Sequence, residues 1–213
     1  MKYHIVFWEI KSRFIPIAFL YMAIGHLYLK ADKSIRFYKL LGTGRGETFT
    51  PSDANLLIWG LLVKTEKDIE NLKLIKKWRK IAILEKYYEL KPISSHGSWS
   101  KQQPFEVNSI EKYEGKVAAI TRARIRYRLI SNFWRSVPPV VTDLRNSPGL
   151  ESAIGIGESP IGLQGTFSVW RDSNSLKNFA YHNNPHQEVI KKTHQLNWYA
   201  EELFARFAVV NEF

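Results

Sequence analysis

The sequence predicts an α+β fold in which one β-α-β-β-α-β pattern, the order of a ferredoxin-like domain, is used twice. Three observations lead there. The stretches IWGLLVKTEKDIENL (residues 58–72) and QGTFSVWRDSNSLKNF (residues 164–179) each run from an apolar segment through a charged turn into an amphipathic helix start. Each is preceded by a strand-like and a helix-like segment in the same order. Between the copies lies a polar segment, residues 94–115, rich in Ser, Gln and Gly, which reads as a linker.

The first half, residues 1–108, opens with YHIVFWEI (3–10), whose β-branched and aromatic residues suit a strand. The apolar segment 15–29 follows as a helix. Next come a strand at 37–41 and the glycine turn Gly42-Thr43-Gly44-Arg45-Gly46. A strand at 56–63, a charged turn, a solvated charged helix within 67–86 and a strand at 88–93 complete this half. The second half, residues 109–213, has a strand at 117–129, a helix at 132–146 and a strand at 152–156 with a glycine turn around Gly155 and Gly157. It continues with a strand at 165–170, the charged turn Arg171-Asp172-Ser173, a helix from Ser175 and a closing strand at 204–209.

The balance of 31 Lys+Arg against 20 Asp+Glu gives a net charge of +11, which suits an anionic partner. The chain has no cysteine. That excludes disulfides, cysteine-ligated zinc, iron–sulfur clusters, a Cys nucleophile and thiolate-ligated haem. The longest apolar run, FIPIAFLYMAIGHLYL (14–29), follows Lys11 and Arg13. It contains His26 and is shorter than the about 20 residues a spanning helix needs. A signal peptide is not expected, because a strand precedes the run and Lys30-Ala31-Asp32-Lys33 follows it where a small-residue cleavage site would lie. The expectation is a helix buried on both faces. The alternative is a helix that touches lipid or a lipophilic substrate. The chain is expected in the cytoplasm, with membrane association left open.

ITRARIRYRLI (120–130) alternates strictly, so Arg122, Arg124, Arg126 and Arg128 fall on one face of a strand. One reading is an edge strand guarded by its charges. The other is an anion clamp, since guanidinium forks bind carboxylates and phosphates. The aromatic residues are not interleaved with this patch, so nucleic acid is not an expected partner. The turn GTGRG lacks both phosphate-loop patterns and reads as a hairpin or bulge.

Among six histidines, the cluster Tyr181-His182-Asn183-Asn184-Pro185-His186 stands out. Asn-Asn-Pro reads as a cap with Pro in the first helical turn, which separates His182 from His186 and spoils a two-His metal site. His186 shares a face with Val189, Ile190 and Thr193. It is either a surface histidine at a helix start or a single axial ligand to haem iron in an apolar pocket. His194 is the second candidate. No hydrolase triad or paired-carboxylate site is supported.

The stretches KLLGTGRGETFT (39–50), PISSHGSWSKQQPFEV (92–107), ITRARIR (120–126), FWRSVPP (133–139), AIGIGESP (153–160) and GTFSVWRD…NWYAEELFARF (165–207) resemble, in order, the spheroidene monooxygenase family. The resemblance implies a dimeric α+β barrel-type fold, here formed by a duplicated ferredoxin-like repeat. It implies a haem-containing, O2-using monooxygenase of a lipophilic, carotenoid-like substrate, with electrons from a ferredoxin-type donor. A non-catalytic haem or hydrophobic-ligand binding protein on the same fold is the alternative. Iron would be held by His186, or by His194. Arg122, Arg124 and Arg126 would clamp the haem propionates, with Arg45 and Arg135 as alternatives. A homodimer and a peripheral membrane contact are further expectations left open.

Overall fold

The computed structural model describes residues 1–45, 50–107, 113–158, 163–182 and 199–213. Strands and helices follow in the order β1 (Lys2–Ile10), α1 (Ile15–Ala31), β2 (Ile35–Gly44), β3 (Ala54–Thr65), α2 (Lys73–Arg79), β4 (Ala82–Gly97), β5 (Val117–Ile125), α3 (Ile130–Asn146), β6 (Leu150–Gly157), β7 (Leu163–Trp170), α4 (Ser173–His182) and β8 (Tyr199–Glu212). The chain forms two compact units. Unit 1 comprises residues 1–43, 55–91 and 209–213; unit 2 comprises 44–54 and 92–208. The expected boundary at 108/109 lies outside the described residues. Both β4 and β8 contribute residues to each unit, so neither unit is one continuous stretch.

In unit 1 the strand order is β2-β3-β1-β4, with the end of β8 beside β4. β1 pairs antiparallel with β3 from Lys2↔Thr65 to Glu9↔Ile58, and with β4 on its other side. The helices cover one face. Val6, Trp8, Leu61 and Val63 from the sheet meet Ala18 and Leu29 of α1 and Leu74, Ile75 and Trp78 of α2. Trp8 and Trp78 stack almost parallel at 5.1 Å, and Tyr21 meets Trp78 edge-on at 5.5 Å. Gly25 lets α1 approach closely, because a Cβ there would lie 2.9 Å from Leu40 Cδ1 and 3.3 Å from Leu74 Cδ2.

Two expectations for this unit are corrected. α1 is buried on one face only. Ala18, Gly25 and Leu29 are its buried residues, while Phe19, Leu20 and Leu27 lie open. The run is apolar all round, but a two-layer unit has a sheet to offer only one side of it. The charged helix within 67–86 is a short α2, closed where the Lys80 and Ile81 N–H groups donate to the Lys77 and Trp78 carbonyls. The chain then turns directly into β4.

Beneath β1 lies a buried polar pair. His4 is 1% exposed, and its Nδ1 is 2.9 Å from the Tyr87 hydroxyl, with the two rings stacked at 5.6 Å. Burial lowers the His4 pKa to about 4, against an opposing pull from Glu89. Burial also raises the Tyr87 pKa, helped by Glu89.

Unit 2 repeats the order as β6-β7-β5-β8, with residues 92–97 of β4 beyond β8. β5 pairs antiparallel with β7 and with β8, so it is a central strand and not the edge strand that its charges suggest. It ends at Ile125, because Tyr127–Leu129 turns as a 3-10 helix; Arg126 and Arg128 are therefore off the strand face. Val117 and Ala119 pack with Trp170, Leu176, Leu144 and Phe179 on the helix side. The residues between them, Ala118, Ile120 and Arg122, point to the opposite face. The expected turn over 42–46 is also revised: β2 runs through Gly44, and Gly46 lies outside the described residues.

Candidate functional site

On the helix-free face of unit 2, the register sets Ala118 beside Phe207, Ile120 beside Ala205, Arg122 beside Leu203 and Arg124 beside Glu201. Directly paired residues share a face, and diagonal neighbours remain within reach of long side chains. Glu201 is thus placed to reach along the strand to Arg122, and it does. Arg122 is 4% exposed and donates to Glu201 Oε2 at 2.5 Å. Its second terminal nitrogen lies 3.6 Å from Glu158 Oε1 at the end of β6. Its guanidinium carbon stands 5.3 Å from the Trp99 ring centre. The Trp99 indole N–H donates to Glu158 at 2.5 Å. Gly165 on β7 makes the room: a Cβ there would lie 2.8 Å from the Thr121 carbonyl and 3.2 Å from Arg122 Cβ.

Glu201 holds the loop after β4 as well. Its carboxylate accepts from the Ser98 hydroxyl at 3.0 Å, the Ser100 N–H at 3.2 Å and the Lys101 N–H at 2.6 Å. Ser100 and Lys101 have φ of 55° and 61°, and Trp99 and Gln102 bridge across them. This is a two-residue turn with both central residues left-handed, a geometry that normally asks for Asn-Gly. With ordinary L-residues it costs about 1–2 kcal/mol per position. The two N–H groups converging on one carboxylate offset that cost. Gly97, at φ 90°, has no alternative, since a Cβ there would overlap the Glu202 carbonyl. Burial of Glu201 works to raise its pKa. The Lys101 N–H, Arg122, Ser98 and the Ser100 N–H outweigh it and hold the pKa at about 2.

Chemically, this cluster is a fixed charge network. The Glu201 carboxylate is saturated with donors and remains ionised, so it does not serve as a base near neutrality. Arg122 is committed to two carboxylates and holds a position instead of standing open to an incoming anion. Arg124 and Arg126 are exposed at the end of β5. Arg45 is exposed too, and its carbonyl accepts from Arg145 at 2.8 Å. The side chain of Arg135 lies outside the described residues, as do that of His182 and both His186 and His194. Among the described histidine side chains, only His96 belongs to unit 2, exposed and next to Gly97. No group of three or more His, Asp or Glu among the described residues could hold a metal ion. Among the described residues, Arg124 and Arg126 carry exposed guanidinium groups of the kind that suits carboxylates, while Arg122 is already paired.

Glu201, Glu158, Trp99 and Ser98 were not picked out individually from the sequence, yet each lies in a family-like stretch. SSHGSWSK, ITRARIR, GIGES and NWYAEEL, scattered over the chain, meet around one guanidinium. The usable signal was charge complementarity: an alternating Arg strand needs acidic neighbours, and Glu201-Glu202 is the acidic pair at the start of the closing strand.

No family model matches the chain. It is 32% identical, over 92% of its length, to a spheroidene monooxygenase of Rhodobacter capsulatus, of which it covers 84%. It is 31% identical over 88% of its length to the spheroidene monooxygenase of Cereibacter sphaeroides, covering 59% of that protein. With that of Rubrivivax gelatinosus the identity is 33% over 83% of this chain and 69% of the relative. Among solved structures, the fold is similar to an aldoxime dehydratase crystallised with butyraldoxime, with a TM-score of 0.58 at 8% identity over 98% of this chain and 79% of the other. A second aldoxime dehydratase gives 0.54 at 11% identity over 98% and 80%. At these identities the likeness is one of mixed α+β fold alone.

Proposed function

The chain belongs to the spheroidene monooxygenase family, and on that premise we propose that it is a haem-dependent monooxygenase that uses O2 to oxidise a lipophilic, carotenoid-like substrate. The observation that carries this reading is the convergence of four family-like stretches on the Arg122–Glu201–Glu158–Trp99 cluster. A shared strand order in the two units, β2-β3-β1-β4 and β6-β7-β5-β8, supports reading them as copies of one ferredoxin-like repeat of the dimeric α+β barrel type.

In this reading His186 holds the iron, with His194 as the alternative, and Arg124 and Arg126 face the propionates. Bound haem supplies the oxygen chemistry. The chain's own contribution is positional. Arg122 and Glu201 fix the loop at 98–102 to the start of β8. Ile120, Phe167, Leu203 and Phe207 are fully buried and keep water from the inner side of the Arg122–Glu201 pair. A ferredoxin-type protein supplies electrons, and a barrel of this type closes either within one chain or across a homodimer.

Expression with haem available should give a Soret band, confirmed by pyridine haemochrome analysis. His186→Ala should abolish or alter that band, and an unaltered band moves the iron to His194. Cells that make acyclic carotenoids should accumulate a keto product when they carry the chain. Failure to bind haem even on reconstitution overturns the reading. Haem binding without O2 consumption, given reductant and carotenoid, replaces it with a non-catalytic haem-binding protein.

A further inference from the structure

We propose that the helical side of unit 1 docks on an anionic lipid bilayer, with α1 lying in the plane of the interface. α1 is apolar over most of its circumference, with His26 and Lys30 its polar residues, but the sheet covers only the side bearing Ala18, Gly25 and Leu29. On the other side Pro16, Phe19, Leu20, Ala23 and Leu27 form an open stripe, with Leu20 53% and Leu27 70% exposed. Such a face against water is costly, and its rim indicates what covers it. Lys11 and Arg13 stand exposed before the helix, Lys30 in its last turn and Lys33 just after it. α2 packs beside α1 on the same sheet face, so its outer residues Lys73, Lys76 and Lys80 look the same way. Lys77 reaches across the seam to the Tyr21 and Tyr28 rings. The one acid along residues 11–33 is Asp32, engaged by Lys67 at 3.1 Å.

An exposed apolar stripe framed by lysines is complementary to the apolar interior edge and anionic headgroups of a bilayer surface. The continuous helical stretch Ser12–Ala31, longer than the apolar run expected from the sequence, is long and apolar enough to cross a bilayer by length and composition, but it lies on the surface. β1 before it and β2 after it both hydrogen-bond to β3, and the core contacts of Ala18 and Leu29 hold the helix against that sheet. This surface requires no haem, so it stands or falls separately from the proposed chemistry.

The test is co-sedimentation of the full chain with vesicles of phosphatidylcholine alone or mixed with phosphatidylglycerol, at low and high salt. Binding should be confined to the mixed vesicles and weaken about tenfold or more in high salt. The double variant Leu20→Gln/Leu27→Gln should lose about tenfold or more in binding, with an unchanged thermal melt, because both side chains are exposed. Lys30→Glu/Lys33→Glu should lose binding while keeping the apolar stripe. Equal binding of the leucine variant, or no binding by the parent chain, overturns the proposal. If instead the leucine variant converts a dimer to a monomer in light scattering while leaving vesicle binding unchanged, the face belongs to a second copy and the proposal fails.

Discussion

β1 and β5 occupy the same place in two units of identical strand order, each flanked by two antiparallel neighbours. β1 gives Trp8 to the helix layer, where it stacks on Trp78. β5 gives only the small or medium side chains of Val117, Ala119, Ala123 and Ile125 to its helix layer and turns Arg122 to the other face, into a network of carboxylates. Unit 1 therefore invests its large side chains in packing. Unit 2 invests buried charge in fixing a loop and the start of β8. Non-directional packing stabilises a scaffold, whereas a buried ion pair sets geometry and adds little net stability. That division puts the site in unit 2 and frees the outside of unit 1 to act as a surface.

The largest effect that would break this comparison is truncation at the centre of unit 1. Trp78→Ala removes the stacking partner of Trp8 and the edge contact of Tyr21. It should cost about 3–5 kcal/mol, read as a fall in the urea midpoint. A loss below about 1 kcal/mol would show that the tryptophans do not carry unit 1.

Arg122→Met should come next, at about 3 kcal/mol, because Glu201 and Glu158 then lose their buried cation. Arg122→Met/Glu201→Leu should recover most of that stability, since apolar replacement of a buried pair is often neutral. It should not recover the proposed haem loading, because the loop at 98–102 then loses the acceptor of Ser98, Ser100 and Lys101 and keeps only the Trp99–Glu158 hydrogen bond. Recovery of both would reduce the network to a stability element and remove its positioning role.

This contrast also explains how much the sequence disclosed. The repeated βαββαβ order was legible because period and turn chemistry are local properties. The exposure of α1 was not: an apolar stripe looks the same whether protein, lipid or a partner covers it. The Arg122 ion pair was half legible. Alternation put the arginines on one face, but their acidic partners sit in other strands, and only register brings Arg124 opposite Glu201. The central place of β5 was hidden for the same reason, since four arginines in sequence suggest an edge until their counter-charges are located. Strand lengths shifted where a backbone turn, and not the side-chain pattern, ended the element, as at Tyr127–Leu129.

The units should also differ in their response to acid. The His4 pKa is lowered by burial from 6.5 to about 4. Unfolded chain therefore takes up a proton below pH 6.5 that folded unit 1 refuses until about pH 4. Stability is full above that window and is lost as pH falls through it, by about 3 kcal/mol. Glu201 works the same way lower down: its pKa falls from 4.5 to about 2, so its contribution is lost between those values. His4→Phe should flatten the urea midpoint between pH 6.5 and 4 only. Glu201→Gln should flatten it between pH 4.5 and 2 only. A single shared window for both variants would erase the distinction.

The smallest effect sharpens the comparison most. Ser98→Ala deletes one donor to Glu201 and leaves Arg122, the Ser100 N–H and the Lys101 N–H in place. The stability loss should be about 1.5 kcal/mol, the low end for a single hydrogen bond to a charged group because three other donors remain, with the fold retained. Because the lost donor favoured the ionised form, the Glu201 titration should move upward, and acid sensitivity should begin at a higher pH while the His4 window stays fixed. Carbon-13 NMR of the Glu201 carboxyl reads the shift directly. An unmoved titration would mean that Ser98 contributes no charge stabilisation, and that the loop is held through its backbone N–H groups and Arg122 alone.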